Sequence, residues 1–529
     1  MASVVPFPEA ARESPPARAK LRVGVFAAPP VERFILEALA AVASSTVAEL
    51  TLVCERGQTP VSRIGENRGL TPVSRMAEKW GLTPLVAPGR RMPLEVGNAE
   101  WRERVREHEL DVAFVAGDVE VAALEGLARF GTWRYAFGED HSIGERDAGR
   151  REVFEGAPVT ASGIRVRLGQ GRPDRVACRS WSRTQPFSVA RNRGNVFAKA
   201  SDFLLRALRD LAEGGPEWLD SAPEIQQGRG YLPVDLGDRL RLAARIARRA
   251  AQKAAFVEQW TLAWRFTDIE PWSGALDGFF RLDPPKDRFY ADPFPLQHQG
   301  RSYIFFEELP FAAGKAHISV VEVDREGRAS EPMRVLERDY HLSYPFLVED
   351  GGELYMIPET GQNRTVEIYR CVEFPARWKR ERVLLDGLFA VDATLHREAD
   401  RWWMFANVAN PGAEIHDELC LFGAESLLGP WSPHPRNPVK SDVRNARPAG
   451  RLFTQGGKLY RPAQVCAPLY GSGVAMNRVT RLDARAFEEE EERRILPAEA
   501  SGVIGLHTVN RAGSLSVIDA FVRRPRFSR

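Results

Sequence analysis

The second half of the chain repeats one short pattern four times, and this repeat restricts the possible folds more than any other feature. Each copy is a turn followed by a strand of alternating character, and the aromatic residues at its centre are Tyr303, Tyr355, Trp403 and Tyr460. They are 52, 48 and 57 residues apart. Periods of about 40–60 residues with several strands per unit are typical of β-propeller blades. With 490–525 as a fifth unit, the sequence predicts a five-bladed propeller over residues 258–529.

A ring of blades must cover the edge of its last sheet, because an open edge exposes unpaired backbone groups. The apolar segment Trp260–Phe266 lies just before the first repeat unit. We expect it to be the strand that closes the ring.

The first half alternates between two periodicities. Apolar runs typical of buried strands occur at 21–28, 48–54 and 111–116, with helical patterns between them at 31–42 and 101–110. Strands that alternate with helices indicate βαβ units and a parallel sheet. We therefore predict a Rossmann-like α/β domain over residues 21–235, preceded by a flexible tail at 1–20.

Two further segments are compositionally unusual. Thr59–Arg63 is repeated as Thr71–Arg75 and begins again at Thr83, which indicates either a duplication in a tolerant surface loop or a duplicated binding loop. Residues 236–257 are rich in Ala and Arg at helical spacing. We interpret them as a basic linker helix, with a membrane-surface or nucleic-acid-binding helix as the alternative.

Charge and cysteine content exclude several classes of protein. The 73 basic residues nearly balance the 71 acidic ones, which argues against a dedicated nucleic-acid binder. The five cysteines form no C-x-x-C pair and no two histidines have metal-ligand spacing, so we expect neither a disulfide framework nor a metal. We also expect a cytoplasmic protein without a membrane span, because we find no signal peptide and no long apolar run. The oligomeric state stays open.

The first domain resembles the formyltransferase fold of methionyl-tRNA and sugar-amine formyltransferases. The segments that carry this resemblance are 111–118, 131–136, 154–163 and 186–190. The resemblance implies 10-formyltetrahydrofolate as the cofactor and catalysis by an Asn-x-His pair with a later Asp.

At the positions of that Asn-x-His pair this chain has Arg134 and Ala136, and Asp174 is the candidate for the later Asp. Arg134 could bind an anion or an oxyanion instead. Asp140 and His141 could supply a relocated acid/base pair, the alternative being that His141 is a surface residue of a Gly-flanked loop. The candidate catalytic residues are therefore Arg134, His141 and Asp174.

The second domain resembles five-bladed glycoside hydrolase propellers that act on arabinans and xylans. It is more similar still to the propeller region of plant glucosamine inositolphosphorylceramide transferases and their bacterial relatives. The segments that carry both resemblances are 288–294, 343–346, 356–360, 391–394 and 447–450.

The hydrolase resemblance implies that Asp292 is a base and that Asp392 tunes the acid. A Glu expected in blade four is replaced by Arg447, so Glu359 is the nearest candidate proton donor. We predict that Asp292, Glu359, Asp392 and Arg447 bind the hydroxyl groups of a sugar. Glu307 and Glu308 are expected to form a surface pair at a strand end.

Together these features predict a transferase of glycan or natural-product biosynthesis, with a small-molecule or sugar-containing acceptor held by the propeller. Formyl transfer to an amine of that acceptor is the specific hypothesis. Two alternatives stay open. One is a catalytically silent carbohydrate-binding protein, and the other is a glycoside hydrolase that uses Asp292, Asp392 and Glu359.

Overall fold

A computed structural model describes residues 19–56, 85, 90–225, 233–267, 278–497 and 502–526. The Thr-Pro-Val-Ser-Arg repeat lies outside these residues, as does nearly all of the N-terminal tail. The described chain forms two compact units. The first contains residues 19–242 and Asn410–Glu414, and the second contains residues 243–409 and 415–526.

The first unit contains one seven-stranded sheet. Its strands are β1 (Leu21–Ala28), β2 (Ala48–Glu55), β3 (Arg91–Pro93), β4 (Val112–Gly117), β5 (Thr132–Phe137), β6 (Val159–Arg167) and β7 (Arg175–Arg183). The order across the sheet is β3-β2-β1-β4-β5-β6-β7. The first five strands in this order pair in parallel, whereas β6 and β7 are antiparallel additions at one edge.

Helices pack against this sheet because its central strands are apolar on both faces. In β1 the residues from Val23 to Ala28 are all buried. The helices of this unit are Arg33–Ala43, Ala99–Arg106, Arg150–Glu155, Val189–Ala200 and Phe203–Ser221. The predicted α/β character and parallel pairing are thus present, while assignment to the Rossmann-like formyltransferase type stays a prediction.

The Ala/Arg-rich segment forms the helix Leu236–Ala255, and none of its side chains is buried. Leu236 and Leu240 are largely exposed. Near the C-terminal end of this helix, Arg249 forms a bidentate ion pair with Glu258, with N–O distances of 2.6 and 2.7 Å.

The second unit is a five-bladed propeller, as the repeat predicted. Its strands, in chain order, are β8 (Phe256–Phe266), β9 (Phe280–Leu282), β10 (Arg288–His298), β11 (Arg301–Pro310), β12 (His317–Val323), β13 (Met333–Leu336), β14 (Ser343–Asp350), β15 (Glu353–Glu359), β16 (Thr365–Glu373), β17 (Arg377–Asp386), β18 (Ala390–Glu398), β19 (Arg401–Val408), β20 (Glu418–Ala424), β21 (Ser432–Pro433), β22 (Lys440–Ser441), β23 (Phe453–Gln455), β24 (Lys458–Val465), β25 (Gly473–Leu482), β26 (Phe487–Ile495), β27 (Val503–Gly505), β28 (Val509–Ala512) and β29 (Leu515–Pro525).

Blades one to four are the sheets β10–β13, β14–β17, β18–β22 and β23–β26, and each is built from consecutive strands. The repeated aromatics all lie on the second strand of their blade, in β11, β15, β19 and β24. The sequence repeat therefore marks the same strand in four blades.

Blade five joins the two ends of the propeller. Strand β8 pairs with β29 in antiparallel register from Phe256↔Pro525 to Phe266↔Leu515. The predicted closing strand is confirmed. This pairing covers the edge that a linear array of blades would leave open.

The first strands of blades one, two and three share an irregularity. Each has a register shift, and Asp292, Tyr344 and Asp392 adopt positive φ angles of 50°, 44° and 54° inside these shifts. A β-bulge redirects a side chain, and left-handed backbone at a non-glycine residue costs about 1–3 kcal/mol. Because the bulge recurs at equivalent positions of three blades, it is a regular feature of their first strands.

Replacing Tyr344 with phenylalanine is expected to destabilise the propeller. The Tyr344 hydroxyl accepts a hydrogen bond from the Gly450 N–H at 2.7 Å and lies 2.8 Å from Thr394 Oγ1, so it connects three blades. Because Gly450 N–H is buried, loss of its acceptor should lower the free energy of unfolding by about 1–3 kcal/mol. Denaturant unfolding measures this, with Tyr355→Phe as the matched control. Equal stability of the two variants would contradict the prediction.

Candidate functional site

A polar cavity of about 160 Å³ lies in the propeller. Three of the predicted binding residues, Asp292, Glu359 and Arg447, line it. The remaining lining residues are Trp260, Phe289, Ala291, Glu307, Leu309, His341, Ser343, Tyr470 and His507. Asp392, the fourth predicted residue, contacts this group through Arg447.

Asp292 forms a buried triad with His507 and Asp519. His507 Nε2 lies 3.1 Å from Asp292 Oδ1, and its Nδ1 lies 2.7 Å from Asp519 Oδ2. Burial alone would lower the pKa of His507, but the two carboxylates raise it to about 10. The imidazole is therefore a cation at neutral pH. In return, it holds the pKa of Asp292 below its ordinary value against the effect of burial.

Backbone and hydroxyl groups complete this triad. Asp519 Oδ1 accepts the N–H groups of His507 and Thr508 at 2.9 and 3.0 Å. Asp519 Oδ2 accepts the N–H of Asp292, and Thr508 donates its hydroxyl to Asp292 Oδ1 at 2.8 Å. These contacts fix the Asp292 carboxylate in its ionised form.

Arg447 and Asp392 form the second buried ion pair. Arg447 Nε donates to Asp392 Oδ2 at 2.6 Å, and its Nη2 donates to Oδ1 at 3.2 Å. Gln464 Nε2 also donates to Asp392 Oδ2, at 2.8 Å. The guanidinium lies 5.0 Å from the ring centre of Tyr470 and 3.8 Å from Glu359 Oε2.

Two further carboxyl groups of the cavity, those of Glu359 and Glu307, have raised pKa values. Burial and the nearby Asp392 raise the pKa of Glu359 to about 8, although Arg447 opposes this. Burial, Asp292 and Glu359 together raise the pKa of Glu307 well above its ordinary value. Glu359 is therefore mainly protonated near pH 7, while Asp292 is ionised. Carboxyl groups with separated pKa values are the usual basis of acid/base assignment in hydrolytic sites.

The prediction for Glu307 and Glu308 is wrong. Both are buried, at 5% exposure each. Glu307 lines the cavity, while Glu308 accepts hydrogen bonds from Arg288 and Ser319 at 2.7 Å. A strand end is solvated in an isolated sheet, but in a propeller the same end is enclosed by neighbouring blades.

The buried triad has the geometry to hold a metal. The ligand atoms of Asp292, His507 and Asp519 lie within 4.8 Å of one another. A cation there would have to displace the proton of His507, which these two carboxylates stabilise. The observed contacts are those of an ion-paired imidazolium.

The predicted catalytic residues of the first unit also share a cavity. Arg134, His141 and Asp174 line a space of about 190 Å³. The interpretation of His141 as a surface residue is wrong, because it is 2% exposed. Burial lowers its pKa to about 4, so the imidazole is neutral at physiological pH. Asp174 accepts a hydrogen bond from Arg165 Nε at 2.7 Å.

Sequence reasoning missed His507, Asp519, Glu307 and Tyr470. Glu307 could have been found by comparing the blades, because it pairs with Ala291 just before the bulge of blade one. Glu359 pairs with Ser343 at the equivalent position of blade two. Aligning the second strands of the blades would therefore have placed Glu307 beside Glu359. His507 and Asp519 lie in blade five, which carries no copy of the aromatic repeat.

These features define the class of protein: a five-bladed propeller whose cavity carries ionised and protonated carboxyl groups, two buried cations and aromatic rings. Residues 284–503 match the protein family described as glucosamine inositolphosphorylceramide transferase 1, N-terminal.

Curated relatives carry the same name. Glucosamine inositolphosphorylceramide transferase 1 of Oryza sativa subsp. japonica is 35% identical over 205 residues, covering 38% of this chain and 27% of the relative. The Arabidopsis thaliana protein of that name is 32% identical over 217 residues, covering 40% and 28%. The chain thus spans just over a quarter of these relatives.

Among solved structures, the chain is similar to Zg3597, a family 117 glycoside hydrolase from Zobellia galactanivorans. The TM-score is 0.34 at 14% identity, covering 50% of this chain and 89% of that one. The GH43_1 enzyme of Xanthomonas citri gives a TM-score of 0.33 at 10% identity, covering 44% and 87%. Separately, none of the helices in the described ranges is long and apolar enough to cross a membrane.

Proposed function

We propose that the propeller binds the sugar of a glycan-transfer reaction in its central cavity. The observation that carries this proposal is the convergence of Asp292, Glu359 and Arg447 on one cavity that Trp260 and Tyr470 also line. Carboxyl and guanidinium groups bind hydroxyls, and aromatic rings pack against the apolar faces of a sugar. The relatives' name indicates glucosamine as the sugar and a glycolipid as the acceptor.

The charge of the cavity favours an amino sugar over a neutral one. Asp292 is ionised, and Glu359 can lose its proton when a cation approaches because its pKa is only about 8. An ammonium group beside Glu359 would replace that proton. Binding of glucosamine should therefore release protons, whereas binding of glucose should not.

The test is calorimetric titration of the full chain with glucosamine, glucose and N-acetylglucosamine. We expect the tightest binding for glucosamine and at least tenfold weaker binding in Glu359→Gln, since a charge-assisted hydrogen bond contributes about 1.5–3 kcal/mol. Glu353→Gln is the matched control, because Glu353 lies at the exposed end of the same strand. Absence of binding for all three sugars at near-millimolar concentration would refute the proposal.

Hydrolysis is distinguishable in the same experiments. Release of sugar from 4-nitrophenyl glycosides that is lost in Asp292→Asn, with binding retained, would assign a hydrolase reaction to the cavity. Binding without any turnover would indicate a recognition domain.

Formyl transfer is the second candidate, and it is favoured by the shared cavity of Arg134, His141 and Asp174. When bound, 10-formyltetrahydrofolate would supply the formyl group. Arg134 would stabilise negative charge on an oxyanion, and the neutral His141 would accept the proton of the attacking amine. Ala136, which stands at the family's His position, has no hydrogen-bonding group to contribute.

Titration with a stable analogue of 10-formyltetrahydrofolate tests this second candidate. Stoichiometric binding, together with formyl transfer to an amino sugar that is lost in His141→Phe, would support it. No binding at near-millimolar folate would exclude formyl transfer and would leave the propeller proposal intact.

A further inference from the structure

Three arginines lie on one face of two adjacent strands in the first unit. Arg134 of β5 is directly opposite Arg165 of β6, and Arg167 follows two residues later, opposite Thr132. Side chains alternate along a strand, so these residues share a face. All three arginines line the same cavity. Like charges placed directly opposite each other destabilise a sheet, so the arrangement requires compensation.

The described residues compensate only part of this charge. Asp174 pairs closely with Arg165. Glu145 lies 3.5 Å from Arg134, but burial raises the pKa of Glu145 against the attraction of that arginine. Arg167 has no ion-pair partner in the described parts of the chain. The cavity is therefore left with excess positive charge.

A buried hydrogen-bond acceptor belongs to His141, which lines the same cavity. His141 Nδ1 lies 3.2 Å from the carbonyl oxygen of Glu139, which can only accept, so Nδ1 carries the proton. Nε2 then presents a lone pair, and it is buried without a hydrogen-bond partner among the described residues. Leaving such an acceptor unpaired costs about 1–3 kcal/mol.

We infer that this cavity binds an acidic group, a carboxylate or a phosphate, on a ligand that also carries a hydrogen-bond donor. The arginines bind the anion, and His141 Nε2 accepts the donor. This inference does not depend on formyl transfer, because any ligand with these two groups would satisfy the site.

Inorganic phosphate and acetate are suitable probes, since dihydrogen phosphate carries an O–H donor and acetate does not. We expect calorimetry on the full chain to show phosphate binding more tightly than acetate. Arg167→Gln should weaken phosphate binding at least tenfold, and His141→Phe should remove the preference for phosphate. Arg172→Gln is the control, because Arg172 is half-exposed, pairs with Asp220 and lies outside the cavity lining.

A second measurement separates binding from a structural role. Without ligand, Arg134→Gln should raise the thermal stability of the first unit because it removes like-charge repulsion. The same variant should lose the stabilisation that phosphate gives the unaltered protein. If Arg134 is purely structural, the variant melts lower and phosphate still stabilises it, which would overturn the inference.

The source of the acidic group is distinguished by competition. A folate analogue displaced by phosphate would place a folate carboxylate in the site. Phosphate binding with no folate binding would exclude formyl transfer and keep the anion site. No response to phosphate or acetate up to tens of millimolar, or phosphate binding unchanged in both arginine variants, would refute the inference.

Discussion

Replacing Arg447 with methionine is expected to lower the free energy of unfolding of the propeller by about 3–5 kcal/mol. The variant leaves Asp392, which is 1% exposed, without its cation. It also removes the charge that opposes the raised pKa of Glu359. The remaining hydrogen bond from Gln464 cannot replace a bidentate guanidinium, because an amide carries no net charge.

Hydrogen exchange of peptides from strand β18 reports this loss for the propeller alone. The double variant Arg447→Met/Asp392→Asn should recover much of the stability, since it removes both charges together. Asparagine is the appropriate partner substitution, because residue 392 has a positive φ that asparagine tolerates. Arg328→Met serves as the surface control, since Arg328 is 74% exposed and its ion pairs contribute about 0–1 kcal/mol.

A single variant as stable as the surface control would show that the Arg447–Asp392 ion pair does not stabilise the folded protein. A double variant less stable than the single one would show that the two residues do not act as a pair. Either result would contradict the electrostatic account of the cavity.

The second large effect is a loss of stability at alkaline pH. His507 has a pKa of about 10 in the folded protein, compared with about 6.5 in an unfolded chain. Its stabilising contribution is therefore complete below pH 6.5 and is lost as the pH rises towards 10. The expected slope is up to about 1.4 kcal/mol for each pH unit.

Glu359 affects the pH dependence of stability over a lower pH range. Its pKa is raised from the ordinary 4.5 to about 8, so the unfolded chain ionises first and stability falls between pH 4.5 and 8. Above pH 8 this contribution is complete. We therefore attribute to the triad any further decline in stability between pH 8 and 10 that depends on His507.

Stability should be measured between pH 7 and 10 for the unaltered chain and for His507→Gln. The variant is expected to be less stable at pH 7 and to lack the part of the alkaline slope that His507 supplies. His298→Gln is the matched control and should keep the slope. Parallel pH profiles for the unaltered chain and His507→Gln would show that His507 is already neutral at pH 8.

The sequence identified the main elements of the propeller site in advance. Asp292, Glu359 and Arg447 were predicted from blade-like segments, and they line one cavity. The protonation states of these residues could not be predicted from the sequence, because the pKa of Glu359 depends on burial and on Asp392 from another blade. Whether these residues bind a sugar stays a prediction.

The sequence by itself determined the propeller, its number of blades and its closing strand, because an aromatic strand pattern repeats at blade length and each blade pairs mainly with itself. It also determined the α/β character and parallel pairing of the first unit, because helical and strand periodicities alternate there. Only the tertiary structure decided which side chains meet. Asp292 and His507 are 215 residues apart and become partners solely because ring closure brings blades one and five together. The burial of Glu307 and His141 was likewise decided by neighbouring elements. Local periodicity indicates which face of its own strand or loop a residue occupies. It carries no information about what covers that face.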